Sequence, residues 1–357
     1  MQIEVSFFDI VEIANRFNLR VIGVTDCSEL SKDKQYLELW QSNKYFAGME
    51  YMARDSSLLS NPSNLILDKE NSKLDKIEYS VISLSLDYPS CSINEPENGY
   101  GKIARYAWGD DYHIVFKELL ESLSKELKKF GYLRSFTDSV PLLERALANR
   151  GSKNTFIGKN SMLIEPKIGS MFFIGEIICG FKIKNIPTAE NKNYSCKTCT
   201  KCINACPTNA IVSEKVVDAN KCISYLTIEH KNLFSEDQIS MIGNWIFGCD
   251  ICQEVCPFNY ALIKNSKRLN SILGNNSLIN KGLISIDKIL SINSNESFNI
   301  LFKRSPIKRT KRRGLIRNAL AVALNQNYRI NNEIRESLLN DSDAMVKELI
   351  TQYNKFL

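Results

Sequence analysis

Eight of the chain's eleven cysteines fall between Cys196 and Cys256. They begin as Cys196-Lys-Thr-Cys199-Thr-Lys-Cys202-Ile-Asn-Ala-Cys206-Pro207 and end as Cys249-Asp-Ile-Cys252-Gln-Glu-Val-Cys256-Pro257, with Cys222 between. The first run is C-x2-C-x2-C-x3-C-P, a spacing in which thiolates hold cubane iron–sulfur clusters. Three close cysteines wrap one cluster from a tight loop, and the fourth, ahead of proline, turns away to a second cluster. Crossing the ligands in this way makes two sets. Cys196, Cys199, Cys202 and Cys256 serve one 4Fe–4S cluster; Cys206, Cys222, Cys249 and Cys252 serve the other. Cys222 stands far upstream of Cys249, so an insertion splits the second half of the motif. Structural zinc and disulfides are the alternatives. Zinc favours four-ligand sets separated by a finger-like gap, which explains the x2-x2-x3-Pro run poorly.

The rest of the composition narrows the chemistry. Only two histidines occur, His113 and His230, which argues against a His-rich metal centre and a Ser-His-Asp hydrolase. No G-x-G-x-x-G follows a strand-like run, and there is no P-loop. Net charge is a modest +6, but from Lys303 to Arg317 eight of fifteen residues are Lys or Arg and none is acidic. Such a run repels itself unless an anion lies nearby, so RNA phosphate is preferred to a merely solvated helix face. Cys27, Cys91 and Cys179 read as small buried hydrophobes, and Met49, Tyr51 and Met52 as core. Arg54 follows an apolar stretch and suits a pocket. Lys159 and Asn160 follow a glycine in a turn, where ligand hydrogen bonding and plain solvent exposure are both open.

These groups need elements to carry them. A chain of 357 residues holds two or three domains, and 44% hydrophobic with 24% charged residues is ordinary soluble composition. The first residues, Met1 to Asp9, are acidic where a signal peptide is basic, and no apolar run reaches membrane-spanning length. Oxygen-sensitive clusters and unpaired cysteines fit a reducing cytoplasm. Apolar spacing predicts helices over 5–18 and 33–54, strands over 20–25 and 79–86, and a loop over 89–101. A helix to about Lys129, a strand over 133–137 and a helix started by Pro141 follow. Asp138 stands at the end of that strand, where the bland reading is a carboxylate on a helix dipole. Residues 161–164 and 169–178 suggest a hairpin inside a sheet. The expected architecture is multidomain α+β or α/β: an α/β domain over 1–185, a ferredoxin-like two-cluster module over 186–260, and a helical tail over 261–357. Pro187 and Asn191–Asn193 mark entry to the module. In the tail, Ile316, Leu320 and Leu324, then Ile334, Leu338, Met345 and Leu349, make apolar faces of a helical hairpin of the HEAT-like kind found in α-solenoids.

Several ordered stretches flank the cysteines: Gly48-Met-Glu-Tyr-Met-Ala-Arg54, Ile103-Ala-Arg-Tyr-Ala107, Asp111-Tyr-His113 and Thr137-Asp-Ser-Val-Pro-Leu-Leu-Glu-Arg145. Phe156-Ile-Gly-Lys-Asn160, Gly169-Ser170, Ser305-Pro-Ile-Lys-Arg309 and Arg317-Asn-Ala319 continue the set. With these the chain resembles the epoxyqueuosine reductases over nearly its whole length. The cysteines alone are shared by many electron carriers; the ordered set is what makes the match specific.

The resemblance implies a cobalamin held between the α/β domain and the cluster module. It implies two-electron removal of the epoxide oxygen of epoxyqueuosine in a tRNA anticodon loop, giving the alkene of queuosine and water. It implies Asp138 as proton donor, which requires a pocket that raises the carboxyl above its ordinary value of about 3.9. Arg54 and Arg145 then suit corrin propionamides, substrate or tRNA phosphate, with surface ion pairing as the alternative. Lys159 and Asn160 become cofactor contacts, and Tyr106, Ser170 and Ser224 join them by their place in the family motifs. Asp111-Tyr-His-Ile-Val-Phe116 comes near the D-x-H-x-x-G signature of histidine-ligated cobalt. Phe116 stands where glycine is needed, and the near miss reads as accidental. The clusters relay electrons from an external one-electron donor such as flavodoxin or ferredoxin, the protein acts as a monomer, and the basic segment holds the tRNA. The rivals are a reductive dehalogenase, whose relatives are typically exported, and a non-catalytic iron–sulfur or RNA-binding protein.

Overall fold

The computed structural model describes residues 2–66, 77–187, 194–265 and 271–356; Asn191–Asn193, the expected entry to the cluster module, lie outside them. Strands Arg20–Asp26, Ser80–Asp87, Phe172–Cys179 and Leu133–Phe136 form a sheet in that order, and every pairing is antiparallel. Helix–strand alternation is present as expected, but the sheet is of α+β rather than parallel α/β type. Alternation along the chain does not set strand direction; the path of each connection does.

Phe172–Cys179 is buried along its whole length because helices cover both faces. On one face Ile82, Leu84, Phe173 and Ile177 meet Ile10, Val115, Phe116 and Leu120 from helices Phe7–Arg16 and Tyr112–Leu127. On the other face Val81, Phe136 and Ile178 meet Leu147 of helix Glu144–Gly151. Side chains at paired positions share a face, so the row Ser83, Glu176, Phe136 lies under that second helix.

Three sequence expectations change. The 33–54 helix stops at Ser42, because Lys44 and Ala47 take positive φ, and only a short 3-10 turn, Glu50–Met52, follows. The helix near Pro141 starts later, at Glu144. Leu163–Ile164 pairs with Phe156–Ile157, while Phe172–Cys179 enters the central sheet instead of their hairpin. A mostly apolar strand gains more in a layer covered on both sides than at a half-exposed edge.

A second core crosses the three expected stretches. Strand Tyr100–Ile103 lies between Trp245–Phe247 and Leu283–Ser285. Helices Lys311–Asn325, Asn332–Leu339 and Ala344–Phe356 pack with it, burying Leu315, Leu320, Leu338 and Tyr353 together with Ile103, Phe247 and Ile284. The last three helices of the tail thus pack on a sheet whose middle strand, Tyr100–Ile103, comes from the first of the expected stretches. No described helix is long and apolar enough to cross a membrane.

Candidate functional site

Two cysteine-rich loops and a knot of ionisable side chains stand close together. Cys196 and Cys199 lie in a turn, Cys202 in helix Lys201–Ala205, and Cys256 directly after helix Ile251–Glu254. These four line one cavity of about 210 Å³, with Asn160, Ile164 and Phe258 completing its wall. Cys256 comes from the far end of the motif, and the fold brings it beside the other three. Cys206 ends helix Lys201–Ala205, Cys222 opens helix Ile223–Ile228, and Cys249 and Cys252 flank the start of helix Ile251–Glu254.

Burial and neighbouring charges act on cysteines of both sets. Burial pushes the Cys252 thiol up, and the nearby Cys222, Cys202 and Cys206 push it further. Burial likewise raises Cys256, with Cys196 and Cys199 adding to it. No group of three or more His, Cys, Asp or Glu among the described residues is drawn tightly enough to hold a single metal ion. A cubane spreads its ligands over four corners, whereas zinc collects them at one point. Backbone donors already point at the sulfurs: Lys159 N–H donates to Cys196 Sγ at 3.4 Å and Ala210 N–H to Cys206 Sγ at 3.3 Å. Hydrogen bonds of this kind orient the ligands and tune the potential.

Arg105 fixes the second loop in place. It is fully buried, and its guanidinium meets Asp250 at 2.9 Å and Glu254 at 2.8 Å, both within the Cys249–Cys256 segment. Its backbone N–H donates to the same Asp250 carboxylate. Gly248, at φ +69°, lets this loop pass so close that a Cβ would lie 2.5 Å from Ala104 Cβ and 3.3 Å from Tyr106. Gly169 has a related use: at φ +80° its Cβ would strike Asn259 Oδ1 at 2.0 Å. That oxygen accepts from Ser170 N–H at 2.8 Å, docking the central sheet on the helix after Cys256.

The ionisable knot is assembled from separate elements. Tyr112 and His113 open helix Tyr112–Leu127, Asp138 follows strand Leu133–Phe136 with φ +41°, and Glu144 opens the next helix. Tyr112 Oη donates to Asp138 Oδ2 at 2.6 Å. His113 Nε2 lies 3.6 Å from the same oxygen, and its Nδ1 lies 2.8 Å from Asp111 Oδ1. Burial raises the Asp138 carboxyl, but hydrogen bonds from His113 and Tyr112 and the charges of His113 and Arg145 outweigh it and leave it below its ordinary value. Burial lowers His113, yet its contacts with Asp111 and Asp138 push it up to about 9, so it is an imidazolium at neutral pH. Burial and the Asp138 charge raise Glu144 to about 8. Glu176, fully buried, is raised by burial and by the charges of Glu144 and Asp138. A proton donor at Asp138 needs a raised carboxyl; here the raised carboxyls are its neighbours, and the proton sits on His113.

The remaining candidates divide. Lys159 and Asn160 are buried against the cluster loops: the lysine pairs with Glu214 at 2.7 Å, and Asn160 donates to the Cys252 carbonyl at 3.2 Å. Ser170 Oγ is engaged with Gln253 and Asn259, each at 2.9 Å. Arg54 and Arg145 are exposed; Arg145 also donates to the Ser161 carbonyl at 2.6 Å. Tyr106 bridges the two centres, 6.4 Å from the Tyr112 ring and 6.0 Å from that of Phe247. Ser224 lies in the helix that Cys222 opens.

The basic segment is two populations. Arg312 is buried, forking onto Asp341 and donating to the Ile292 carbonyl at 2.7 Å. Arg317 is buried too, donating to the carbonyls of Leu226, His230 and Asn232. Lys303, Arg304, Lys308, Arg309, Lys311 and Arg313 are exposed. Arg304 pairs with Asp110, and Arg309 with Glu229 while reaching Tyr51 Oη at 3.4 Å. The uniform anion-binding run expected from sequence is therefore corrected: two of its eight cations hold the tail's core. His113, Tyr112, Glu144, Glu176 and Arg105 are the residues sequence reasoning left without a role. The first three and Arg105 lay inside the quoted motifs; nothing marked Glu176.

Similar proteins give the constellation a context. Residues 195–259 match the family described as "4Fe-4S double cluster binding domain", and residues 73–139 match "Epoxyqueuosine reductase QueG, DUF1730". An epoxyqueuosine reductase of Cyclobacterium marinum is 37% identical over 85% of this chain and 93% of its own length. One of Francisella cf. novicida is 34% identical over 95% and 93%. Among solved structures, an epoxyqueuosine reductase with an epoxyqueuosine-modified tRNA stem loop superposes with TM-score 0.81 at 25% identity, covering 98% of this chain and 89% of that one. A Bacillus subtilis epoxyqueuosine reductase, described with an aspartate catalytic loop swung out of its active site, superposes with TM-score 0.79 at 26% identity, covering 97% and 88%.

Proposed function

The chain belongs to the epoxyqueuosine reductase family, and from that premise we propose how its own residues carry the reduction of epoxyqueuosine to queuosine. The overall change consumes two electrons and two protons: both C–O bonds of the epoxide break, the carbons form an alkene, and the oxygen leaves as water. Two clusters held by the eight cysteines would supply the electrons one at a time. The second, held by Cys206, Cys222, Cys249 and Cys252, is the inner one, because Gly248 beside Cys249 abuts Tyr106, and Tyr106 abuts the Tyr112 that bonds Asp138. That line of contacts is the observation that carries the reading.

Cobalamin fits the face between these parts. The exposed guanidiniums of Arg54 and Arg145 suit propionamide carbonyls. Both His113 nitrogens are committed to carboxylates, so no imidazole there is free for the cobalt. When bound, the corrin supplies the strong reductant at carbon, chemistry no side chain performs. The chain's part is the proton. Asp138 is the proton donor to the departing oxygen, and the His113 imidazolium, held by Asp111, returns a proton to it. A carboxylate kept low by a cationic neighbour is a poor acid until the proton moves across that contact.

The substrate is a tRNA anticodon loop, held through exposed Lys303, Lys308, Lys311 and Arg313, whose phosphate contacts are independent of sequence. In functional terms residues 1–185 carry cobalamin and acid, 186–260 the clusters, and 261–357 the RNA, although the packing runs across these limits. Asp138→Asn tests the centre of the reading. Turnover with epoxyqueuosine-containing tRNA falls by about 10²–10⁴-fold, while iron and corrin content stay as in the native chain. A near-native rate at full cofactor content removes Asp138 from the proton-donor role.

A further inference from the structure

The cavity of the first cysteine set has a mouth with a character of its own. Ser195, Lys197, Lys201 and Pro257 line it and are exposed. Tyr260, one helical turn beyond Pro257, is 60% exposed, and Lys215 stands out from the turn whose backbone accepts from Ser161. The carboxylates nearby are committed, Glu214 to Lys159 and Glu254 to Arg105. Lys197, Lys201 and Lys215 therefore leave a positive ring beside an apolar spot formed by Pro257 and Tyr260. On the second set's side the loop is pinned inward by Arg105, and Cys249 packs on the tail's core.

We propose that this ring is the docking surface for an acidic, low-potential one-electron carrier protein, which reduces the cluster of Cys196, Cys199, Cys202 and Cys256. The proposal rests on the reading of the clusters as a relay. Each encounter oxidises the carrier and reduces this cluster by one electron, so two encounters serve one epoxide. Positive charge steers an acidic carrier to the mouth, and the small apolar centre lets it dock without staying, as a carrier that must leave requires.

The test is anaerobic stopped-flow bleaching of cluster absorbance in the full chain, with reduced flavodoxin as the carrier and dithionite as a reference in the same preparation. In Lys197→Glu/Lys201→Glu the carrier-to-dithionite rate ratio falls about tenfold at low ionic strength. In the native chain the carrier-driven rate drops as salt is added. An unchanged ratio overturns the proposal, as does a loss that follows Lys308→Glu/Lys311→Glu instead. If the double variant does not assemble its clusters, Lys215→Glu and the native salt dependence decide, and a carrier-driven rate indifferent to salt overturns the assignment. Clusters that dithionite cannot bleach in the native chain would end the relay reading itself, whereas a failed dock leaves it intact.

Discussion

The two cysteine loops and the knot around Asp138 lie side by side but are built in opposite ways. In the first set, three cysteines come from one seven-residue stretch, a turn running into helix Lys201–Ala205, and one from a distant helix end; the local stretch makes most of the site and the fold delivers the last piece. Around Asp138, the helix that opens at Tyr112, the strand end at Phe136, the helix that opens at Glu144 and the buried strand bearing Glu176 each contribute. Short-range geometry is inherited from spacing, whereas a field made by groups from four elements exists only after packing. The cluster site should therefore fail one ligand at a time, and the proton site should respond through its neighbours.

The largest effect expected on this contrast is at Cys256. Cys256→Ala removes the cluster of the Cys196–Cys202 run and about half the iron, while Cys206→Ala disturbs the other cluster; iron analysis and low-temperature spectra of the reduced protein distinguish them. If Cys206→Ala strips the first cluster and spares the second, the crossed assignment fails. The basic segment comes next, as the same contrast in miniature. Arg312→Ala leaves Asp341 buried without its cation and costs about 3–5 kcal/mol in denaturant unfolding. Lys308→Glu/Lys311→Glu leaves stability nearly unchanged but lowers tRNA affinity and flattens its salt dependence. Equal stability losses in the two variants would erase the distinction drawn between buried and exposed cations.

His113→Gln keeps a hydrogen bond and loses the imidazolium. Turnover falls on the order of tenfold, less than in Asp138→Asn, since another proton source can still reload the aspartate. His113 is raised from 6.5 to about 9, so its contribution to stability is complete below pH 6.5 and is lost as pH rises through about 9. The native rate should decline over that same window, and the variant should lack the decline. An unchanged pH profile in His113→Gln would leave Asp138 to be loaded from solvent.

Glu144 gives the smallest effect. Its carboxyl is raised from 4.5 to about 8, so the native chain loses stability as pH climbs through that interval and a buried carboxyl is forced to ionise. Glu144→Gln removes that loss, so the urea midpoints of native and variant protein should diverge in the variant's favour between about pH 5 and pH 8. Parallel pH dependences would mean that Glu144 is already ionised in the folded chain.

By itself the amino-acid sequence determined the two runs of cysteines, most helix and strand positions, and the presence of a basic tail. Each of these depends on residues near one another along the chain, where spacing translates directly into distance. Tertiary structure alone decided that the central sheet is antiparallel, that Tyr100–Ile103 is the middle strand of the tail's own sheet, and that Arg312 and Arg317 are interior. It also decided where the proton rests. Read singly, Asp138 is a carboxylate and His113 half of a failed cobalt signature; beside each other, with Asp111 behind, the carboxylate is held low and the imidazole is held protonated. A pKa is set by every charge and dipole within a few ångströms and by the water excluded there, and the chain acquires those neighbours only when distant segments pack.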